Sequence, residues 1–432
     1  MKLSRMGGTG VSNSVQLCAT KKNHKPVTSN MKYIIILADG CSDFPIGKLG
    51  GKTPLMAAHT PHIDALCAKS RCGLLKTVPD DMPPGSEIAN MAVLGYDVHA
   101  VYQGRGVLEA ASMGVDLKDD DLAMRCNLIC IDKKGRIKNH SAGHISTEES
   151  LQLIEHLNDK LSVPDYVFHP GVSYRHLFVA NKGSDQVQCT PPHDVPGRAF
   201  KGLMVKATNP AGQETADLLN GLILESQALL AEHPVNKARV AAGKDPANSV
   251  WFWSPGYRPA MKTFMELYGK TGAVISAVDL IYGIGAYAGF EAIKVPGSTG
   301  LYDTNYEGKA EAAVEALKRV DLVYLHIEAS DEAGHEGDVD LKVKTLEYLD
   351  RRVVKYIVEE TEKLDEPVAI AILPDHPTPC ELRTHVHDPV PFMIYHPGAE
   401  PDVVKEYNEE SVQSGHYGLL EGDGFIRALL EK

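Results

Sequence analysis

Tyr33-Ile-Ile-Ile-Leu-Ala-Asp39 is a continuous apolar run that ends on a carboxylate. It is too short for a helix and does not alternate in polarity, which is the pattern of a strand buried on both faces. Two later stretches repeat it, Leu322-Val-Tyr-Leu-His-Ile-Glu-Ala-Ser-Asp331 and Val368-Ala-Ile-Ala-Ile-Leu-Pro-Asp375-His376. Between them, Val343, Leu346, Leu349, Val353 and Ile357 form one apolar helical stripe, and Ile63, Leu66 and Cys67 a shorter one. Strands that alternate with helices predict an α/β fold, a parallel or mixed sheet covered by helices on both faces. Sites in such sheets lie beyond the carboxyl ends of the strands, where Asp39, Asp331, Asp375 and His376 fall.

Outward from these strands the texture changes at about residue 117, with the acidic turn Lys118-Asp-Asp-Asp121. Ser146-Thr-Glu-Glu149 has capping-box spacing ahead of Leu151, Ile154 and Leu157, so a helix starts there. Leu219, Leu222, Ile223 and Leu230 mark a second amphipathic helix, followed by polar stretches, His233 to Arg239 and Gly243 to Asn248, that read as loops. The expected organisation is a core in two parts, residues 31–116 and 251–432, with an inserted α+β lid domain over 117–250. Residues 1–30 hold five Lys or Arg and no Asp or Glu, and read as a disordered extension ahead of Met31 rather than a targeting signal.

The formal charge of −13 repels nucleic acid and anionic lipid, so both are set aside as partners. An anionic substrate remains compatible with it, because local Arg, Lys and metal ions act at short range. The eight cysteines show no C-x-x-C pair, as in a reducing cytoplasm, and no apolar run has the length of a membrane span.

Asp331-Glu-Ala-Gly-His335 places a carboxylate and an imidazole four residues apart, on one face of a helix, where both reach one divalent ion. Alone, such a pair is more often a surface or capping contact. Pro374-Asp375-His376 and Thr384-His385-Val-His387 are similar, each a turn or a ligand pair in isolation. Their coincidence at the ends of apolar strands points to a metal centre, and mixed carboxylate and imidazole donors suit Mn, Zn, Fe or Co. The ligands suffice for two ions, which at about 3.5–4 Å apart clamp both oxygens of an in-line displacement at phosphorus. Pro83-Pro-Gly-Ser86-Glu-Ile-Ala-Asn90 offers a nucleophile, Ser86, at a helix start whose NH groups favour phosphate; Ser86 also reads as a plain helix cap. Gly283-Ile-Gly-Ala-Tyr-Ala-Gly289 misses the dinucleotide spacing by one residue, and no Walker motif is present.

Several ordered stretches together resemble the alkaline phosphatase superfamily and, within it, the cofactor-independent phosphoglycerate mutases of archaeal type with their bacterial relatives. They include Ile36-Leu-Ala-Asp-Gly40, Leu49-Gly-Gly-Lys-Thr-Pro54, Pro84 to Asn90, Gly104-Arg-Gly-Val-Leu-Glu, Ser141-Ala-Gly-His-Ile-Ser-Thr147, Asp331 to His335, Pro374 to His376 and Asp388-Pro-Val-Pro391. The resemblance runs from Met31 to the C-terminus. It implies an alkaline-phosphatase-like core and the interconversion of 2- and 3-phosphoglycerate through a phosphoserine on Ser86. It also implies two divalent ions, Mn foremost with Zn, Co or Mg as alternatives. One would be held by Asp331, His335 and His385, the other by Asp39, Ser86, Asp375 and His376. Arg105, His144 and Arg175 are the implied substrate contacts. His385 is preferred to His387 by its spacing to Pro389-Val-Pro391. The chain departs in carrying Glu87 where the family has Asp, and it also resembles a bacterial branch assigned as homoserine kinase, the alternative function with the same metal site.

Overall fold

The run from Tyr33 is strand β1 (Lys32–Ala38), buried along its whole length. The structure is a computed structural model that describes residues 31–161 and 163–431; the expectations for residues 1–30 lie outside the described residues. The strands that follow are β2 (Arg71–Leu75), β3 (Asp121–Ile131), β4 (Ile137–Asn139), β5 (Tyr166–His169), β6 (Arg175–Asn181), β7 (Val187–Gln188), β8 (Lys206–Ala207) and β9 (Ser249–Gly256). After them come β10 (Gly272–Ile275), β11 (Glu291–Ile293), β12 (Leu322–Ile327), β13 (Val368–Leu373), β14 (Val390–Tyr395) and β15 (Gly418–Leu420).

The central sheet has the order β11-β10-β12-β1-β13-β14-β2-β15. β1 lies parallel between β12 and β13, with Ile36 opposite both Leu325 and Ile372, and β14 runs against both of its neighbours. Alternate residues of β1 feed two apolar clusters, as the pleat requires. Tyr33, Ile35 and Leu37 pack with Ile88, Leu108 and Ile281 on one face, and Ile34, Ile36 and Ala38 with Ile63, Leu346 and Ile357 on the other. Each such side chain contributes about 1.5–3 kcal/mol of transfer free energy, which explains why an unbroken apolar run is needed in the middle of the sheet.

A second, antiparallel sheet is organised on β3, which pairs β6 on one side, β9 on the other and β4 at its end. Its apolar cluster is completed by the helices Thr147–Leu161 and Gln213–Ala231, through Leu153, Ile154, Leu157, Leu219, Leu222 and Ile223. The capping box is made in full: Glu149 N–H donates to Ser146 Oγ at 3.2 Å, and Ser146 N–H to Glu149 Oε2 at 3.3 Å. Trp251, at the expected return to the core, lies within β9 opposite Asn127. Ala123, Leu177 and Val179 turn to the other face of this sheet and join the first cluster of the central sheet, beside Val107 and Leu108 of the helix Arg105–Ser112.

One local expectation is corrected. The stretch His233 to Arg239 is the N-cap and body of a helix, Pro234–Ala241, rather than a loop. Pro234 suits the first turn, His233 Nδ1 accepts from Val235 N–H at 3.3 Å, and buried Asn236 is held by Leu230 O and Ala247 O, so hydrogen bonds replace an apolar stripe. Gly283 and Gly285 lie in the helix Asp279–Tyr287, consistent with their missing the dinucleotide spacing. A Cβ on Gly283 would stand 2.0 Å from Leu108 O, and one on Gly285 2.5 Å from Val274 Cγ1. These glycines therefore permit close helix packing. Among the described residues no helix is long and apolar enough to cross a membrane.

Candidate active site

β12, β1 and β13 are parallel neighbours, so their carboxyl ends meet on one edge of the sheet. Asp39 follows β1 at once, Asp375 and His376 follow β13, and Asp331 and His335 lie one turn apart in the helix Ala329–Glu336 after β12. Gly40 closes this junction. Its φ is +59°, and an added Cβ would sit 2.5 Å from Asp331 Oδ1, so the turn after Asp39 runs against Asp331 as only glycine allows.

On one side of the edge, His335 Nε2 and His385 Nε2 approach Asp331 at 3.3 and 3.4 Å and stand 2.9 Å from each other. The other ring nitrogens face carbonyls, His335 Nδ1 that of Arg383 at 3.1 Å and His385 Nδ1 that of Pro84 at 3.0 Å. With the proton on Nδ1, both Nε2 atoms are bare and face one another across a carboxylate, the arrangement of imidazole ligands oriented by outer carbonyls. Asp331 shows the same tension. Burial raises its pKa, but when the imidazoles carry a proton on Nε2 as well they donate to Asp331 and hold its carboxyl well below the usual range, and Asp331 in turn lifts His335 to about 9. His387 turns its Nε2 to Met82 O at 2.8 Å, so both histidines face the loop at residues 82–84 and only His385 reaches Asp331.

On the other side, Asp39 and Asp375 are buried. Burial first, then Asp375 and Asp331 raise the Asp39 pKa well above its ordinary value, because carboxylates crowd a space of low polarity. Such a cluster is what a divalent cation relieves. His376 stands between the two halves. Its Nε2 lies 3.3 Å from Asp375 Oδ2 and 3.8 Å from Asp39 Oδ1, and its ring stacks on His385 at 3.6 Å. Ser86, first residue of the helix Ser86–Val93, places Oγ 3.0 Å from His376 Nε2. Asn90, one turn on, donates to Ser86 O and to Asp375 Oδ2, each at 2.8 Å, and accepts from Tyr324 Oη. That bridge joins the serine helix to the sheet edge.

Two donor groups could each hold an ion, their ligand atoms within 4.8 Å of one another: Asp331 with His376 and His385, and Asp39 with His326 and Asp375. His326, inside β12, is absent from the sequence-based ligand set. Its signal is a lone basic residue in an apolar strand.

A cavity of about 550 Å³ is lined by four basic residues, Arg105, Arg125, Arg175 and Lys294, and two acidic ones, Asp279 and Glu109, the latter 3.1 Å from Arg125. Arg125 and Arg175 come from the second sheet, Arg105 and Lys294 from the elements around the central one. Nε of both Arg105 and Arg125 is buried without a hydrogen-bond partner, and burial lowers the Arg125 guanidinium to about 10. Unpaired buried guanidinium NH groups make this a pocket for an oxyanion. Arg105 also borders a second recess with Glu87 and Tyr102, beside the serine. His144, by contrast, is exposed on a turn with φ +52° and does not line the cavity. The sequence pattern marks neither Arg125 nor Lys294 as a site residue; Arg125, like His326, is the one basic residue of its strand.

The profile of 2,3-bisphosphoglycerate-independent phosphoglycerate mutase matches residues 67–236. A protein of that name from Methanosarcina acetivorans is 51% identical over 403 residues, covering 93% of this chain and 100% of the relative. Among solved structures, a Pyrococcus horikoshii protein superposes with a TM-score of 0.78 at 31% identity, over 93% of this chain and 97% of the other. The cofactor-independent phosphoglycerate mutase of Thermoplasma acidophilum superposes with a TM-score of 0.66 at 28% identity, over 93% and 99%. With half its residues shared along the whole length of such a relative, the chain belongs to the 2,3-bisphosphoglycerate-independent phosphoglycerate mutase family.

Proposed function

We propose that the chain interconverts 2- and 3-phosphoglycerate, with Ser86 carrying the phosphoryl group beside two divalent ions. Asp331, His335 and His385 would hold one ion, and Asp39, Ser86, Asp375 and His376 the other, with Mn foremost. Bound there, the ions supply positive charge for the phosphoryl oxygens and activate the serine hydroxyl. The observation that carries this reading is the position of Ser86 Oγ, 3.0 Å from His376 Nε2 at the start of a helix and at the rim of the carboxylate cluster.

The chain's own groups account for the rest. The first NH groups of the helix Ser86–Val93 point toward an incoming phosphate, and Asn90 keeps that helix in register with Asp375. Arg105, Arg125, Arg175 and Lys294 offer the charge to hold the carboxylate of a glycerate. The phosphoryl group passes from one glycerate oxygen to Ser86 Oγ, the glycerate reorients, and its other hydroxyl takes the group back. Neither nucleotide nor bisphosphoglycerate is consumed. Water at phosphoserine would turn the enzyme into a phosphatase, so residues 117–250 are read as a lid that excludes it, bringing His144 toward the substrate on closing.

The test is a parallel assay of Mn-loaded protein by phosphorus NMR, with 3-phosphoglycerate alone and with ATP plus homoserine. 2-Phosphoglycerate formed without nucleotide is the expected result. Phosphohomoserine formed only with ATP, and no 2-phosphoglycerate, would replace this reading with the amino-acid kinase.

A further inference from the structure

His326 is 1% exposed and lies on β12 behind the sheet edge. Its Nδ1 is 3.0 Å from Glu328 Oε1. The same oxygen accepts from Ser276 Oγ at 2.9 Å and Ala277 N–H at 2.8 Å, while Oε2 pairs with Lys309 Nζ at 2.7 Å. Lys309 is 0% exposed, so its ammonium has this carboxylate as its buried counter-ion. Glu328 is therefore ionised and can only accept, which places the His326 proton on Nδ1.

Nε2 is then a bare lone pair. It faces Asp39 Oδ2 at 3.0 Å, and neither Nε2 nor Asp39 Oδ1 has a hydrogen-bond partner. The two atoms offer lone pairs to one buried space, which a divalent cation within reach of both would satisfy. The ligand atoms of His326, Asp39 and Asp375 lie within 4.8 Å of one another, and the carboxylate behind the ring supplies the usual second partner of a metal-bound histidine.

We infer that His326 Nε2 is a ligand of the ion held by Asp39 and Asp375, with Glu328 and Lys309 as the residues that position its ring. The inference rests on the two-metal reading above. It adds a second imidazole nitrogen, beside that of His376, to the oxygen donors of this position, which favours a transition metal over Mg.

The test uses apo protein reloaded with Co(II), read by metal analysis, calorimetry and proton NMR. Each histidine bound through Nε2 keeps an Nδ1 proton, which the paramagnetic ion shifts far outside the normal range. In the wild-type protein a strongly shifted NH that exchanges slowly with solvent, beyond those of His335, His376 and His385, is expected for His326 behind buried Glu328. His326→Gln should lose that signal and bind one of the two ions about 10–100-fold more weakly. Two bound ions with no such signal in the wild type, or equal affinity in His326→Gln, would overturn the inference alone. Fewer than two ions in the wild type would overturn the two-metal reading and this inference with it.

Discussion

The edge of the central sheet and the cavity beside the second sheet are both charged and largely buried, but with opposite sign. At the edge, Asp39, Asp331 and Asp375 crowd one another, and the Asp39 carboxyl is driven upward by burial and its neighbours. In the cavity, Arg105 and Arg125 carry buried Nε–H groups without partners, and Glu109 answers only part of the positive charge. Neither region is satisfied by the protein alone. Under the proposed function cations would offset the charge at the edge and the carboxylate of a phosphorylated acid that in the cavity. The charge of each region follows from the elements that carry it: strand ends can gather carboxylates at one edge, while the cavity collects cations from strands of one sheet and helices of the other.

Ser86→Ala separates the two regions most sharply. It should lower kcat by at least about 10³-fold while bound metal and the apparent KM change little, because the nucleophile goes and the charges stay. Steady-state kinetics with metal analysis on the same sample checks it; turnover within tenfold of wild type would remove the phosphoserine route.

Arg105→Ala and Arg175→Ala act on the cavity alone. Each should raise KM for phosphoglycerate about 10–100-fold, or about 1.4–2.8 kcal/mol, with metal content unchanged. Loss of metal in either variant would show that the two regions are one coupled site.

Acid should disturb the second sheet through His176 of β6, which is 1% exposed and whose pKa burial lowers to about 3. The unfolded value is about 6.5, so above that pH the ring is neutral in both states and its contribution to stability is complete. As pH falls from 6.5 toward 3 the unfolded chain takes up a proton that the fold refuses, and stability drops by about 1.4 kcal/mol per pH unit. Thermal melts between pH 7 and 5 should therefore fall more steeply in wild type than in His176→Gln; parallel slopes would exclude His176 as the cause.

His144→Ala gives the smallest effect. The residue is exposed on its turn, so kinetic constants should move by less than the Arg variants do, and a kcat change at constant KM would mark it as a lid contact made on closure.

The edge of the central sheet was legible in the chain because its signals are local. An apolar run that ends on Asp39 or on Asp375-His376 states both the strand and the exit, and Ser146-Thr-Glu-Glu149 states a helix start, since capping depends on residues three apart. The helix Pro234–Ala241 was not legible, because hydrogen bonds of Asn236 and Arg239 stabilise it in place of an apolar stripe. Gly283 and Gly285 missed the spacing of a dinucleotide loop, and only Leu108 and Val274, packed against them, show their use.

Sequence by itself determined the three central strands, the helix start at Ser146 and the family, all of which rest on short-range pattern or on ordered motifs. Tertiary structure alone decided that His385 rather than His387 reaches Asp331, that His326 faces Asp39, and that Arg105, Arg125, Arg175 and Lys294 share one cavity. Such partners are separated by tens to hundreds of residues, and which of them meet is set by strand order and register, which no local pattern encodes.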